Sequence, residues 1–247
     1  MKKPIILFGI LTALPWLSQA QVSFNGSYTE NFDSLGPAGT GYPAGWSGVR
    51  YAGTGAIGPL TPGVTAGATN TGGLYNVGTA GDADRALGTL ASGTTIPRFG
   101  LQLANNSGST YDQITFSGVS EQWRTGNNAT VNETASFEYS FNATDINDPN
   151  ATFQALSSMD LVEILTSSTS GGATDGHANQ ILISGSISGA NWTDGSTLTI
   201  RWSDHDDTGT DGLYAIDNFN VTTVPEPSTF ALLGLGAAGL LARRFRC

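Results

Sequence analysis

The 247-residue sequence predicts an all-β fold, a single antiparallel β-sandwich of the jelly-roll type. Two observations favour it. Hydrophobic residues alternate with small or polar ones in several short segments, which is the pattern of half-buried strands. Clusters of Gly, Asn, Asp, Ser and Thr separate these segments, and the helical spacing of βαβ units is missing. Hydrophobic residues make up 39% of the chain, so a sizeable core is expected.

The first 20 residues are typical of a secretory signal peptide. Lys2 and Lys3 precede an apolar stretch from Ile5 to Leu17, and small residues at positions 18 and 20 suit cleavage before Gln21. We therefore expect export. With no internal repeat or strong linker in the rest of the chain, we assign residues 1–20 to the signal peptide and 21–223 to one β-sandwich domain.

The stretch 36–81 is dense in Gly, Ala, Thr and Pro, and its hydrophobic residues lack regular spacing. Gly and Pro interrupt regular elements, so this composition favours irregular structure. Two alternatives remain open: a long ordered loop held over the sandwich by Trp46 and Tyr51, or a flexible flap.

Four later segments show the strand pattern most clearly, and 153–165 alone has the spacing of a short helix. The alternating hydrophobic residues of the four strands are Phe99, Leu101 and Leu103; Ile114 and Phe116; Ala135, Phe137, Tyr139 and Phe141; and Leu198, Ile200 and Trp202.

Charge and cysteine content exclude several functions. The formal net charge is −10, and residues 21–223 contain no lysine, so the surface repels phosphate backbones and nucleic-acid binding is not expected. The only cysteine is Cys247, which excludes a disulfide framework or a cysteine zinc site in the body. Divalent cations and neutral, hydroxyl-rich ligands suit this charge.

The segment DHDDTGTDG at 204–212 is a candidate metal site. Asp204 and Asp206 lie among further aspartates in a glycine-bearing loop, where their mutual repulsion favours a bound cation. Calcium accepts several oxygen ligands in flexible geometry. The alternative is a solvated acidic turn between two strands.

Asp217, in the strand-like segment AIDNFNV, is a second candidate. Alternation places it on one face with Ala215, Phe219 and Val221, where a carboxylate is costly unless it is paired.

The partner of Asp217 has two interpretations. We predict a calcium ion held by Asp217 together with Glu30 or Asp33 of the first strand. The alternative is an ion pair with an arginine such as Arg124 or Arg201.

Aromatic rings stack on sugars, so exposed tryptophans are candidate ligand contacts. We expect Trp192, in the loop GANWTDGS, and Trp46 to face a ligand, and Trp123 and Trp202 to lie in the core.

Motifs for catalysis are missing. The sequence has neither a G-x-S-x-G nor an H-E-x-x-H motif, so we predict that the protein is not an enzyme. A glycan hydrolase would need two carboxylates facing each other, for which Glu121, Glu133 and Glu138 are available.

The C-terminal segment 224–247 has three parts: Pro225, Glu226 and Pro227; an apolar run; and Arg243 and Arg244. As a helix the run spans about 20 Å, less than the roughly 30 Å of a bilayer core. The pattern resembles the PEP-CTERM sorting signal. That resemblance implies a short hydrophobic helix, transient anchoring in the inner membrane and processing by an exosortase, in Gram-negative bacteria that make exopolysaccharide. The alternative is a simple C-terminal anchor.

A second resemblance lies in the segments NFDSL (31–35), RALGTL (85–90) and YAIDNFNV (214–221). They resemble secreted β-sandwich modules, including carbohydrate-binding jelly rolls in which the terminal strands pair and hold a structural calcium. We therefore expect a non-catalytic protein of the cell surface or exopolysaccharide matrix that binds polysaccharide or matrix components with Ca²⁺. The alternatives are a secreted glycan hydrolase and a purely structural surface protein.

Overall fold

A computed structural model describes residues 21–225 of the protein. This range contains sixteen strands and two short 3-10 turns, Asp33–Leu35 and Ser157–Met159. The strands are β1 (Val22–Phe24), β2 (Ser27–Glu30), β3 (Trp46–Ala52), β4 (Gly58–Pro59), β5 (Gly63–Thr65), β6 (Gly73–Val77), β7 (Ala86–Leu90), β8 (Ile96–Asn105), β9 (Tyr111–Thr125), β10 (Thr134–Ser140), β11 (Gln154–Ala155), β12 (Leu161–Val162), β13 (Gly172–Ala173), β14 (Gln180–Trp192), β15 (Thr197–Ser203) and β16 (Leu213–Pro225).

The strands form two sheets that pack face to face, which confirms the predicted sandwich. The first sheet has the order β11-β10-β15-β8-β3-β4, with β1 beside β8 and β12 beside β10. The second has the order β13-β9-β16-β7-β6-β5, with β14 beside β9 and β2 beside β16. Pairing is antiparallel except at β1–β8 and β5–β6. The terminal strands β2 and β16 pair, with Glu30 opposite Phe219.

Aromatic side chains at the centre of the core join the two sheets. Trp202 of β15 stacks on Phe99 at a ring-centroid distance of 5.4 Å and on Trp46 at 6.1 Å. Phe219 of the opposite sheet meets Trp202 edge to face at 5.4 Å. The Nε1–H group of Trp202 donates to the carbonyl of Met159 at 2.9 Å, so the buried indole keeps its hydrogen bond.

The predicted alternation is confirmed in all four segments, because their hydrophobic residues face the core. Tyr139 and Phe141 are partly buried at its edge, while the others are fully buried: Phe99, Leu101, Leu103, Ile114, Phe116, Ala135, Phe137, Leu198, Ile200 and Trp202.

Two stretches differ from their expected structure. Segment 153–165 forms β11, one 3-10 turn and β12 instead of a helix, because both short strands pair with β10. The stretch 36–81 is not a single loop or flap over the sandwich: between its loops it contributes β3 and β4 to the first sheet and β5 and β6 to the second. Long-range pairing orders it despite its irregular pattern.

Replacing Trp202 by alanine should remove the contacts that join the sheets and leave the Met159 carbonyl without its donor. We expect the free energy of unfolding to fall by about 3–5 kcal/mol, measured by denaturant titration. Leu182→Ala is the control, since Leu182 is 87% exposed and its loss should change stability by less than about 0.5 kcal/mol. Equal effects of the two substitutions would contradict this role of Trp202.

Candidate functional site

A β-bulge in β16 determines which side of the second sheet Asp217 faces. The pairing of β16 with β9 shifts register between Asp217 and Asn220, and Asn218 has a left-handed backbone with φ 48°. Before the bulge, Leu213 and Ala215 belong to a small apolar cluster on the outer face of the sheet. After it, Phe219 and Val221 point into the main core. Asp217 therefore lies on the outer face, and its predicted placement with Phe219 and Val221 was wrong.

Asp217 is a buried carboxylate, with 4% of its surface exposed. Its oxygens accept hydrogen bonds from the backbone N–H and the side-chain amide of Asn218, at 2.6 and 2.7 Å. Burial, together with the nearby carboxylates of Glu121, Asp84 and Asp33, raises the pKa of Asp217 to about 7.

The ion-pair alternative for Asp217 is not found. Arg201 pairs with Glu138 at 2.8 Å on the first sheet. Arg124 directs its guanidinium to the carbonyl of Gly67. Within residues 21–225, neither arginine forms a salt bridge with Asp217.

Three other carboxylates lie near Asp217. Asp33 was predicted as its partner, whereas Asp84 and Glu121 were not. Asp33 accepts the backbone N–H of Arg85 at 3.1 Å, which ties the first 3-10 turn to β7. Asp84 lies 3.4 Å from His177. Glu121 is 2% exposed and accepts the indole N–H of Trp123 at 2.7 Å. Sequence spacing gives no signal for these contacts, since they depend on strand register.

Glu30 lies on the edge of this region. Its Oε1 accepts the backbone N–H of Phe32 at 2.8 Å, and Phe32 has a left-handed φ of 58°. Glu30 and the bulge both line a shallow cleft of about 350 Å³. Its lining residues are Thr29, Glu30, Asn31, Asn218, Phe219 and Asn220.

Asp204 and Asp206 do not lie with Asp217. Asp204 accepts the hydroxyl of Thr89 at 2.6 Å. In β7, Ala86 and Leu90 face outward and Leu87 faces the main core, so Thr89 faces inward as well. Asp204, which is bound to Thr89, therefore lies on the inner side of the second sheet, opposite to Asp217. The five predicted metal ligands therefore form no single site. Among residues 21–225, no three His, Cys, Asp or Glu side chains are placed to hold a metal ion.

The 204–212 loop instead packs its carboxyl groups against one another. Asp211 is 8% exposed and accepts the backbone N–H of Asp207 at 3.2 Å. Glu133 accepts the hydroxyl of Tyr214 at 2.8 Å. Burial, together with the neighbouring carboxylates, raises the pKa of Asp204 to about 7 and that of Asp211 to about 8.

The structure corrects the expectation for the two ligand-facing tryptophans. Trp192 is fully buried, packs against Phe24 at 4.8 Å and donates its indole N–H to the carbonyl of Ser196. Trp46 is also fully buried and donates to the hydroxyl of Tyr28 at 2.7 Å. Neither ring offers a face to a ligand.

Uncharged polar side chains cover the outer face of four adjacent strands, β2-β16-β9-β14. Strand register aligns them in two ranks, which we call the polar grid. The first rank is Thr29, Asn220, Ser117 and Ser184, and the second is Ser27, Thr222, Thr115 and Ser186. The residues that alternate with the grid along each strand point into the main core, so the grid faces outward. The hydroxyls of Thr115 and Ser186, neighbours in the second rank, lie 2.9 Å apart and form a hydrogen bond.

The sorting segment begins where the sandwich ends. Strand β16 runs to Pro225, and Glu226, Pro227, Arg243 and Arg244 lie outside the described residues, as does the signal peptide. Among residues 21–225, no helix is long and apolar enough to cross a membrane.

A family model, the PEP-CTERM protein-sorting motif, matches residues 223–246. The match covers 24 of 247 residues and shows that the chain carries this motif. The motif indicates an exported protein that is sorted through an exosortase. No curated protein matches the chain significantly.

Several solved structures have a similar strand arrangement. The CBM22-1 xylan-binding domain of Xyn10C from Paenibacillus barcinonensis is 13% identical with a TM-score of 0.38, covering 84% of this chain and 99% of the domain. The K3 cleaved adhesin domain of Lys-gingipain from Porphyromonas gingivalis is 17% identical with a TM-score of 0.43, covering 79% and 98%. The xylan-binding module CBM15 is 10% identical with a TM-score of 0.39, covering 83% and 100%.

The raised pKa values of Asp204 and Asp211 predict a chain that is less stable at alkaline pH. Both values exceed the ordinary value of 3.8, so at intermediate pH the folded chain holds protons that the unfolded chain has released. The free energy of unfolding should therefore fall as pH rises from about 4 to about 8. Melting temperatures measured in chelator across this range test the direction.

Asp204→Asn with Asp211→Asn mimics the neutral side chains. This variant should be more stable than the original chain at pH 8 and show a flatter pH profile. Asp112→Asn, at an exposed position, is the control and should keep the original slope. A stability that rises between pH 5 and pH 8 in chelator would refute the interpretation.

Proposed function

We propose that this protein is an exported, non-catalytic protein of the cell surface or exopolysaccharide matrix, and that it binds neutral polysaccharide through the polar grid. The observation that carries the proposal is the grid itself: eight hydroxyl and amide side chains in register across four strands, with no charged side chain among them.

The chemistry of the grid suits a neutral glycan. Sugar hydroxyls donate and accept hydrogen bonds, as do the Ser and Thr hydroxyls and the Asn amide of the grid. Neighbouring strands lie about 4.8 Å apart, and alternate residues of one strand about 6.8 Å apart, so the donors and acceptors repeat at fixed intervals. A flat surface of this kind binds an extended chain through many weak, partly water-mediated contacts.

The charge of the protein favours the same class of ligand. At −10 the chain repels acidic polymers over most of its surface, while a neutral polysaccharide pays no such penalty. The sorting motif supports a location where such polymers occur, since it indicates export. Cleavage of the tail and placement on the outer surface are part of the proposal.

We also propose that Asp217 and Asp33 hold a structural calcium. Asp217 is buried without a basic partner in the described residues, and further carboxylates raise its pKa. A divalent cation would relieve both the burial cost and the repulsion, and carboxylate oxygens are ligands that calcium prefers. Bound there, calcium would join the first 3-10 turn to β16 beside the grid. Asp204, on the inner side of the sheet, and Asp206, in the loop that follows it, are not part of this site.

Catalysis receives no support from the three glutamates named above. Glu121 lies on the outer face of the second sheet, and Glu138 lies on the first sheet beside Arg201. Glu133 is buried against Tyr214. These carboxylates do not face one another across a cleft, which a glycosidase requires.

A second candidate function is a purely structural surface protein without a specific ligand. One observation favours it: the four tryptophans of the body are all buried, so none stacks on a sugar. They are Trp46, Trp123, Trp192 and Trp202. The binding experiment below separates the two candidates.

Binding to neutral polysaccharides, tested on a glycan array and by affinity electrophoresis, should depend on the grid. Ser117→Lys places a long charged side chain at its centre and should weaken binding at least about tenfold, equivalent to about 1.4 kcal/mol. The matched control is Ser136→Lys, because Ser136 is exposed on β10 of the other sheet. Absence of binding would favour the purely structural function, and an equal loss in both variants would show that the grid is not the binding surface.

Calcium should raise the melting temperature of the full chain and of residues 21–225, relative to chelator. Asp217→Asn should abolish this increase and Asp33→Asn should reduce it. In chelator, Asp217→Asn should be at least as stable as the original chain, since it removes a buried charge. Asp112→Asn is again the control. A calcium response that survives Asp217→Asn would disprove the site without affecting the polysaccharide proposal.

A further inference from the structure

Strand β14 is a long sheet edge. Nine consecutive residues, Gln180 to Ser188, pair with β9 on one side. On the other side, the described part of the chain places no strand. Ile183 and Ile187 point into the core, so the strand is anchored there. The 3-10 turn Ser157–Met159 packs near Gly185, but the outer backbone N–H and C=O groups of β14 pair with no strand in residues 21–225.

This edge lacks the usual protection against pairing with another chain. Edge strands generally carry lysine, proline or inward-pointing charges that prevent association. The thirteen residues of β14 include no charged residue and no proline. In addition, Leu182 is 87% exposed and Ile181 is 39% exposed, the former being the most exposed of the large hydrophobic side chains in residues 21–225.

A second copy can approach at this edge, because β14 carries no charge. Two copies of a chain with net charge −10 repel each other across most of their surfaces. An uncharged strand that meets its own equivalent brings no like charges together. We propose that β14 pairs antiparallel with β14 of a second copy, around a two-fold axis perpendicular to the sheet.

The pairing has a natural register. Centred on Ser184, it matches the nine-residue segment with itself, so that Ile181 lies opposite Ile187 and Leu182 lies opposite Ser186 of the second copy. Because the axis is perpendicular to the sheet, the outer faces of both copies lie on the same side. The first rank of the polar grid then continues across the junction through Ser184, whereas the second rank meets Leu182 of the second copy, and four strands become eight.

A strand edge alone buries less than the roughly 1,200 Å² of a standard interface, so the dimer is weak and reversible, with dissociation in the micromolar range. The dimer itself does not depend on the proposed function. The consequence for binding does: a polysaccharide that spans both grids gains affinity by multivalency, because the second contact is intramolecular.

Sedimentation velocity and light scattering over about 1–500 µM test the proposal, on the full chain in mild detergent and on residues 21–225, which contain both sheets and their core. We expect concentration-dependent dimers. Leu182→Lys with Ser186→Lys places like charges directly opposite each other across the axis and should shift dimer dissociation at least about tenfold. An unchanged melting temperature verifies folding, since both positions are exposed.

The control is Ser117→Lys, which adds the same charge to the same face away from the edge. It should remain dimeric while losing polysaccharide binding. A monomer at all concentrations, or a dimer that persists in the double-lysine variant, would overturn the pairing. Dimers that form normally but bind no polysaccharide would uphold the pairing and reject the proposed function.

Discussion

Strand β16 contributes side chains to two buried surfaces on opposite sides of one sheet, and the rest of the structure depends on how its backbone makes this possible. Its first half contributes Leu213 and Ala215 to the outer cluster, and its second half contributes Phe219 and Val221 to the main core. A regular strand cannot do both, since residues of one parity share one face. The left-handed Asn218 inserts the extra residue that exchanges the faces, and asparagine tolerates this conformation. The same bulge leaves Asp217 beside Asn218 on the outer side.

The distribution of carboxyl groups follows from this strand. Asp217 lies outside the sheet, near Asp33, Asp84 and Glu121, while Asp204 and Asp211 lie at the inner end of the sandwich. Burial disfavours the charged form of Asp217 on the outer side and of Asp204 and Asp211 on the inner side. The inner group lies within hydrogen-bonded packing, where protonation is the direct means of neutralisation. On the outer face, Asn218, which donates to Asp217, lines an open cleft.

The sequence was sufficient to predict whatever depends on alternation within one strand. Phe137 and Trp202 follow period two without interruption, so their inward positions were predicted correctly. The prediction failed at Asn218, because nothing in AIDNFNV distinguishes a bulged strand from a regular one. It also failed for Trp192, whose loop-like surroundings conceal contacts with Phe24 and Tyr111. The grid and the approach of Glu121 to Asp217 depend on register between distant strands, which one sequence does not contain.

The arginines of the body have a consequence for how long the protein lasts outside the cell. Residues 21–223 contain no lysine, and three of the five arginines, Arg85, Arg124 and Arg201, are no more than 8% exposed. A protease that cuts after basic residues must fit an extended, accessible backbone, and these positions lie in or beside paired strands. Cleavage at these three sites therefore requires opening of the sandwich, so their resistance to such proteases is set by unfolding rather than by protease concentration alone.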